Sequence, residues 1–183
     1  MDKLRTQQYL VLGMSTFAFM VCFAIWMIFA VIGIPLKETL QLNATQFGLL
    51  AATPVLTGAL TRLPLGMLAD TVGGRRIFMI VMLGCALPLY LISYATEYWH
   101  FLLLGLFTGV TGGVFSVGTA YVSKWFDKSR KGLVTGVFGA GTAGAAVNAF
   151  IAPAIIAQWD WQMVPRIYAG ALIVTALLFW LFT

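Results

Sequence analysis

The stretch GALTRLPLGMLAD, residues 58–70, carries an arginine inside an otherwise apolar run. Arg62 is followed by no charged residue until Asp70, and the nearest charge before it is Glu38. Apolar runs dominate the chain, because 61% of its 183 residues are hydrophobic and only 9% are charged. Soluble domains carry about 25% charged residues. The sequence therefore predicts an integral membrane protein.

Several uncharged stretches of the chain are long enough to cross a bilayer as helices. About 20 apolar residues span the hydrocarbon core, and the sequence lacks the short alternating segments of a membrane β-barrel. The whole chain, residues 1–183, is therefore predicted to be one all-α transmembrane domain in a lipid bilayer. Six spanning helices are expected at about residues 9–33, 46–69, 76–95, 98–120, 132–156 and 164–183.

The basic residues lie mainly on one side of these predicted helices. Eight fall on the side of the N-terminus and two on the other side, with Arg62 left inside the membrane. Basic loops face the cytoplasm, so the pattern predicts a multi-pass protein of the inner cell membrane with a cytoplasmic N-terminus. Because the charges are scattered, the net charge of +5 does not indicate nucleic-acid binding. The eight residues are Lys3, Arg5, Arg75, Arg76, Lys124, Lys128, Arg130 and Lys131, and the two are Lys37 and Arg166.

Nothing in the sequence indicates catalytic or metal chemistry. Both cysteines, Cys22 and Cys85, fall inside predicted spans, and no metal site or cofactor is expected. The chain has no Gly-x-Ser-x-Gly motif, no His-Glu-x-x-His motif and no paired membrane aspartates. The protein is therefore expected not to be an enzyme.

Arg62 is predicted to lie near the middle of the bilayer. It precedes Asp70, at the membrane surface, by eight residues, which corresponds to about 12 Å of helix. An arginine at this depth costs at least ~2.5–3.5 kcal/mol, and all six acidic residues sit at loops or helix ends. Two interpretations stay open: backbone carbonyls or water satisfy the guanidinium, or it faces a cavity and binds an anion. Its planar fork suits flat oxyanions, and Pro54 and Pro64 bracket it, which permits a bend around such a cavity.

The loop GMLADTVGGRR, residues 66–76, predicts a tight turn between two spans. Its glycines allow close backbone approach or positive φ, and Asp70 is expected to pair with the basic residues that follow it. The spacing resembles the signature of the major facilitator superfamily, Gly-x-Leu-Ala-Asp-Arg-x-Gly-Arg-Arg-Arg, with Thr71 and Gly74 as departures. The resemblance implies that the loop is a conformational latch. The latch residues are then Gly66, Asp70, Gly73, Arg75 and Arg76.

The same resemblance implies that the chain is one half of a transporter. Members of this superfamily usually have twelve helices in two six-helix halves, with the substrate at the midplane between them. The second half would be a C-terminal domain or another chain. Transport by alternating access is expected, while an anion channel and a half-length protein without independent transport are the alternatives.

The fourth and fifth predicted spans are rich in small residues. They read GLFTGVTGGVFSVGTAYVSKWF (residues 105–126) and GLVTGVFGAGTAGAAVNAFIAP (residues 132–153). Small residues let membrane helices pack backbone to backbone. The glycines predicted to make such contacts are Gly109, Gly113, Gly136, Gly139, Gly141 and Gly144.

These two spans also resemble those of the nitrate/nitrite porter family. The resemblance is carried by VSKWFDKSRKG (residues 122–132), the glycine run that follows it, and Arg62. It implies that Arg62 binds nitrate or nitrite together with an arginine of the second half. It also implies that Phe115 packs against the anion and that Thr142 stands where the family has an asparagine. A hydroxyl is shorter than an amide and has one donor fewer, so another small anion is an alternative substrate.

The residues leave the coupling of transport open. No Asp or Glu lies deep within a predicted span, and His100, the only histidine, is expected at the outer interface beside Trp99. Exchange of one anion for another is therefore at least as compatible with this half as proton-coupled uptake.

Overall fold

The computed structural model describes residues 2–183, and its secondary structure is helical. Short turns join the helices, and several helices continue one another along the same span. The nine α-helices of the described residues are α1 (Asp2–Trp26), α2 (Phe29–Thr39), α3 (Ala44–Leu68), α4 (Gly74–Leu91), α5 (Tyr98–Gly109), α6 (Val114–Ser123), α7 (Lys131–Gly139), α8 (Gly144–Gln158) and α9 (Met163–Phe182).

Tight turns divide three of the predicted spans. Single 3₁₀ turns at Val110–Gly113 and Ala140–Ala143 join α5 to α6 and α7 to α8, so both glycine-rich spans are two helices in series. The first predicted span breaks at residues 27–28, between α1 and α2. Tightening of this kind often marks a hinge or local strain within a helix.

Five helical segments of the described chain are long and apolar enough to cross a membrane. The fold is therefore an all-α, multi-pass membrane fold, as the sequence predicted. The predicted spans 46–69 and 76–95 belong to one helical run of 51 residues, which the structure interrupts with a π-helical turn. The five segments are Lys3–Thr39, Ala44–Tyr94, Tyr98–Ser123, Lys128–Gln158 and Met163–Phe182.

Local chemistry explains both ends of α3. At its start, the Asn43 side chain accepts a hydrogen bond from the backbone N–H of Gln46 at 2.9 Å, and the Gln46 side chain accepts one from Asn43 N at 3.0 Å. This capping box satisfies two of the N–H groups that a helix start leaves unpaired. After α3, the π-helical turn Ala69–Gly73 ends at Gly73, whose φ of +104° favours glycine over any L side chain.

Aromatic pairs hold the core of the bundle. Phe78 of α4 packs on Phe179 of α9 with ring centroids 4.8 Å apart. Phe19 of α1 stacks on Phe138 of α7, also at 4.8 Å. All four rings are buried, and such pairs contribute about 0.5–1.5 kcal/mol beyond the burial of their area.

Glycines set the closest approach between helices. A Cβ added at Gly109 would lie 2.6 Å from Pro54 O, and one at Gly113 would lie 2.7 Å from a Leu65 methyl, so α3 packs directly on the α5–α6 span. On the other side of the bundle, a Cβ at Gly141 would lie 2.5 Å from the Phe19 ring.

The remaining predicted packing glycines differ in their surroundings. Gly144 faces the backbone of Met20, where a Cβ would overlap the carbonyl oxygen. Gly136 and Gly139 face open space, with no heavy atom within 4 Å of an added Cβ. Among the predicted packing glycines of the fifth span, the close contacts are therefore made by Gly141 and Gly144 and not by Gly136 or Gly139.

Gly144→Ala is expected to lower the melting temperature of the protein in detergent micelles. The added Cβ would overlap the Met20 backbone, and overpacking of this kind costs about 1–3 kcal/mol. Gly139→Ala is the matched control, because the same change there meets open space and improves helix propensity. Melts followed by circular dichroism compare the two variants, and equal melting temperatures would contradict the proposed contact between α1 and α8.

Candidate functional site

Arg62 lies on an exposed face of α3, between two aromatic rings. Its guanidinium carbon is 5.7 Å from the centroid of the Trp26 ring and 5.8 Å from that of Phe115. Both distances fall within the range of cation–π attraction, about 6 Å. The structure therefore brings together two of the three residues that the sequence assigned to substrate.

Phe115 is the edge of a larger aromatic cluster. Its ring lies 5.5 Å from Phe19 and 6.0 Å from Phe138, centroid to centroid. Phe115 itself is half-buried, while the other two rings are fully buried. This arrangement fixes one face of Phe115 in the core and leaves the rest of the ring beside the Arg62 guanidinium.

Trp26 completes the site and was missed by the sequence analysis. Its indole N–H donates to Pro54 O at 2.8 Å, which ties the end of α1 to α3. Gly58 and Gly112 make room for the ring, since a Cβ on either would lie 2.5 Å from Trp26 Nε1. A tryptophan inside a span, opposed by glycines on two other spans, was the available signal.

The backbone of α3 is held in place behind the arginine. The Ser116 hydroxyl of α6 donates to Arg62 O at 2.7 Å and also lies 2.9 Å from Gly113 O. The hydroxyl of Thr61 bonds the carbonyl of Thr57 one turn earlier, at 2.8 Å. The backbone at Arg62 is therefore held by the Ser116 side chain of α6, whereas the guanidinium is left for other partners.

Thr142 lies in the turn Ala140–Ala143 and is exposed. Its hydroxyl donates to Gly139 O at 2.9 Å, within its own span. A hydroxyl that donates its hydrogen bond to a backbone carbonyl can still accept one. It can donate to an anion only after it rotates away from that carbonyl. Of the three predicted substrate residues, Thr142 is thus the one that the structure does not join to the Arg62 cluster.

The charge of Arg62 has no acidic counterpart nearby. Among the residues that the structure describes, the only ion pair joins Lys124 and Asp70, at the end of the bundle. Within residues 2–183, the guanidinium of Arg62 makes neither an ion pair nor a hydrogen bond. A guanidinium carries five N–H donors in one plane, which match two oxygens of a planar oxyanion. The site can therefore bind such an anion through the fork and pack aromatic surface against it.

The predicted latch loop makes its ion pair with another helix. Asp70 Oδ1 lies 3.1 Å from Lys124 Nζ, at the end of α6. The expectation that Asp70 pairs with the basic residues after it is corrected, because Arg75 points elsewhere. Arg75 lies over the Trp180 ring of α9, 4.2 Å from its centroid, and donates to the carbonyl of Trp180. Arg76 is exposed.

Glycines of this loop also touch the neighbouring helix. A Cβ at Gly74 would lie 2.6 Å from Tyr121 Cβ, and one at Gly66 would lie 3.7 Å from Ser116 Cβ. Residues 66–76 therefore contact α6 through Gly66, Gly74 and Asp70, and contact α9 through Arg75. This loop is placed so that a movement between these helices would break the Asp70–Lys124 contact.

Comparison with known proteins adds an independent line of evidence. The chain is 38% identical to the probable nitrate/nitrite antiporter NarK1 of Thermus thermophilus, over 98% of the chain and 43% of that protein. It is 32% identical to the probable nitrate transporter NarT of Staphylococcus carnosus, over 91% of the chain and 43% of the relative. The nitrite extrusion protein of Bacillus subtilis is 32% identical, over 96% of the chain and 45% of the relative.

The chain thus spans less than half the length of these relatives. The sequence profile of the Major Facilitator Superfamily matches residues 14–183, which is nearly the whole chain. The helices of the structure, the loop at residues 66–76 and these matches all indicate the same family. The chain belongs to the Major Facilitator Superfamily.

Proposed function

We propose that this chain is one half of a secondary transporter for a small planar oxyanion, nitrate or nitrite, which works by alternating access. The observation that carries the proposal is the guanidinium of Arg62, which has no carboxylate within 4.0 Å among the described residues and lies against Trp26 and Phe115. The relatives named for nitrate or nitrite support the choice of anion. A transporter of this kind moves its substrate unchanged, so the protein is not an enzyme.

We propose six membrane spans, because the segment Ala44–Tyr94 is too long for one. Its 51 residues correspond to about 77 Å of helix, more than twice the ~30 Å hydrocarbon core. The π-helical turn at Ala69–Gly73 carries the polar Asp70 and is the natural reversal point. With six spans, we propose that the N-terminus and most basic residues lie in the cytoplasm and that the protein lies in the inner cell membrane, because cytoplasmic loops carry an excess of Lys and Arg.

The binding site is completed by a second six-helix half. The relatives are more than twice as long as the region that they share with this chain, which leaves room for such a half. The exposed side chain of Arg62 marks the face where it would dock, since transporters of this architecture bind substrate between their halves. The second half is expected to supply a further cation, because a single arginine contacts only one edge of the anion.

In this arrangement each residue has a distinct task. Arg62 donates two parallel hydrogen bonds to the anion, and the rings of Trp26 and Phe115 exclude water and hold the guanidinium in place. Thr142 contributes a polar contact after its hydroxyl rotates away from Gly139. The loop of residues 66–76 acts as a latch that holds one conformation through the Asp70–Lys124 pair.

Arg62→Lys is expected to raise the KM for nitrate by about 10-fold, and Arg62→Gln by about 100-fold. Lysine keeps the charge but loses the planar pair of guanidinium donors, whereas glutamine loses both. Hydrogen bonds to charged groups contribute about 1.5–3 kcal/mol each. The measurement is nitrate uptake or nitrate/nitrite exchange by the protein with its second half, reconstituted in liposomes.

The matched control is Arg5→Lys, which makes the same chemical change at an exposed position of α1, in the first half of the chain. It is expected to leave KM unchanged. Wild-type KM values in both Arg62 variants would contradict the proposed site, and a selective loss of transport of another small anion would redirect it to that anion.

Asp70→Asn is expected to lower the maximal transport rate several-fold while leaving the melting temperature nearly unchanged. The Asp70–Lys124 pair is largely exposed, and exposed ion pairs contribute only about 0–1 kcal/mol to stability. Its loss would therefore disturb the balance between conformations more than the fold. The double variant Asp70→Lys with Lys124→Asp restores the attraction and is expected to recover transport in part, whereas recovery no better than that of Asp70→Lys alone would refute the latch.

A further inference from the structure

A second arginine, Arg166, lies at the opposite end of the bundle from the latch loop. It stands in the first turn of α9, whereas Trp180, which contacts Arg75, stands near the end of the same helix. The Arg166 guanidinium donates through Nε to Ser93 Oγ at 3.0 Å and lies 5.0 Å from the centroid of the Tyr94 ring. One of its terminal nitrogens lies 3.9 Å from the sulfur of Met163.

These contacts leave the charge of Arg166 uncompensated. Within residues 2–183 the structure records an ion pair only between Lys124 and Asp70, so no carboxylate of that range lies within 4.0 Å of this guanidinium. The Tyr94 ring lies beside the guanidinium, and its hydroxyl is 3.0 Å from that of Tyr90. Cations and tyrosines at one end of a membrane bundle mark the level of the lipid headgroups.

An apolar groove of about 510 Å³ leads away from Arg166 between α4 and α9. Small residues form its floor. Ala86 and Ala169 are buried there, and a Cβ added at Gly170 would meet no heavy atom within 4 Å. Its walls are exposed aliphatic side chains. The residues that line it besides Arg166 and Tyr90 are Leu83, Ala86, Leu87, Ala169, Gly170 and Ile173.

We propose that this groove binds one anionic phospholipid, with the phosphate at Arg166 and an acyl chain along the floor. Charge complementarity selects an anionic headgroup, since the cation has donors to spare and no acidic neighbour. From Arg166 to Ile173 the groove runs about 10 Å along the helix axis, deep enough for the upper part of an acyl chain.

The groove is separate from the anion site of the proposed transporter. That site is built by Trp26, Arg62, Phe115 and the Thr142 turn, and neither α4 nor α9 contributes a residue to it. The second half would dock on the face that carries Arg62. The face formed by α4 and α9 therefore stays in contact with lipid, and lipid is its expected occupant.

The test is native mass spectrometry of the protein with its second half, titrated with dioleoylphosphatidylglycerol or with dioleoylphosphatidylcholine. We expect the anionic lipid to bind at least about 5-fold more tightly, because one arginine at a membrane surface contributes about 1 kcal/mol. Arg166→Gln is expected to abolish this preference. Arg130→Gln, the same change in the exposed turn Lys128–Arg130, is the matched control and is expected to preserve it.

A second variant tests the groove without touching the charge. Gly170→Leu fills the open floor and is expected to weaken binding of both lipids several-fold, with an unchanged melting temperature. If Arg166→Gln does not fold, Gly170→Leu alone tests whether lipid binds in the groove. Three results would each overturn the proposal. They are equal affinity for the two lipids, an equal loss of the preference for the anionic lipid in Arg166→Gln and Arg130→Gln, and unaltered lipid binding by Gly170→Leu. Displacement of the lipid by inorganic phosphate would assign the cation to a soluble anion and overturn it as well.

Discussion

The guanidinium of Arg62 lies against the rings of Trp26 and Phe115 and has no acidic partner within 4.0 Å among the described residues. An unpaired charge within a membrane-spanning helix is costly, so a chain that keeps one needs a compensating partner. Aromatic rings offset part of this cost through cation–π attraction, but they leave the N–H donors of the fork without acceptors. The site is therefore incomplete as it stands and is complementary to an anion.

The surrounding helices are arranged to hold this arginine in place. Glycines at positions 58 and 112 admit the Trp26 ring, and Gly109 and Gly113 let α3 approach the α5–α6 span closely enough for Ser116 to bond the carbonyl of Arg62. Contacts of this kind depend on the absence of side chains and not on polar pairs. They let the backbones of neighbouring helices approach closely.

Much of this organisation was predictable from the sequence, because long apolar runs, scattered basic residues and an isolated arginine are visible without a structure. The neighbourhood of Arg62 was predictable only in part. Phe115 was identified through a family resemblance, whereas Trp26 was missed, because Pro54 and Arg62, which it contacts at this site, lie 28 or more positions away in the sequence. Pairing of Asp70 with Lys124 was missed for the same reason, since local spacing favoured the basic residues of its own loop. Gly136 and Gly139 fit the small-residue pattern of their span, yet the pattern could not reveal that no helix of the described chain faces them.

The account rests on the claim that the partner of Arg62 is a planar anion and not a carboxylate of the second half. The most direct measurement is a structure of the protein with its second half in nitrate, at a resolution that distinguishes the anion from water. The account predicts planar density with two oxygens at hydrogen-bond distance from the Arg62 guanidinium and one face against Phe115. An aspartate or glutamate of the second half paired with Arg62, with nitrate bound elsewhere or not at all, would contradict it.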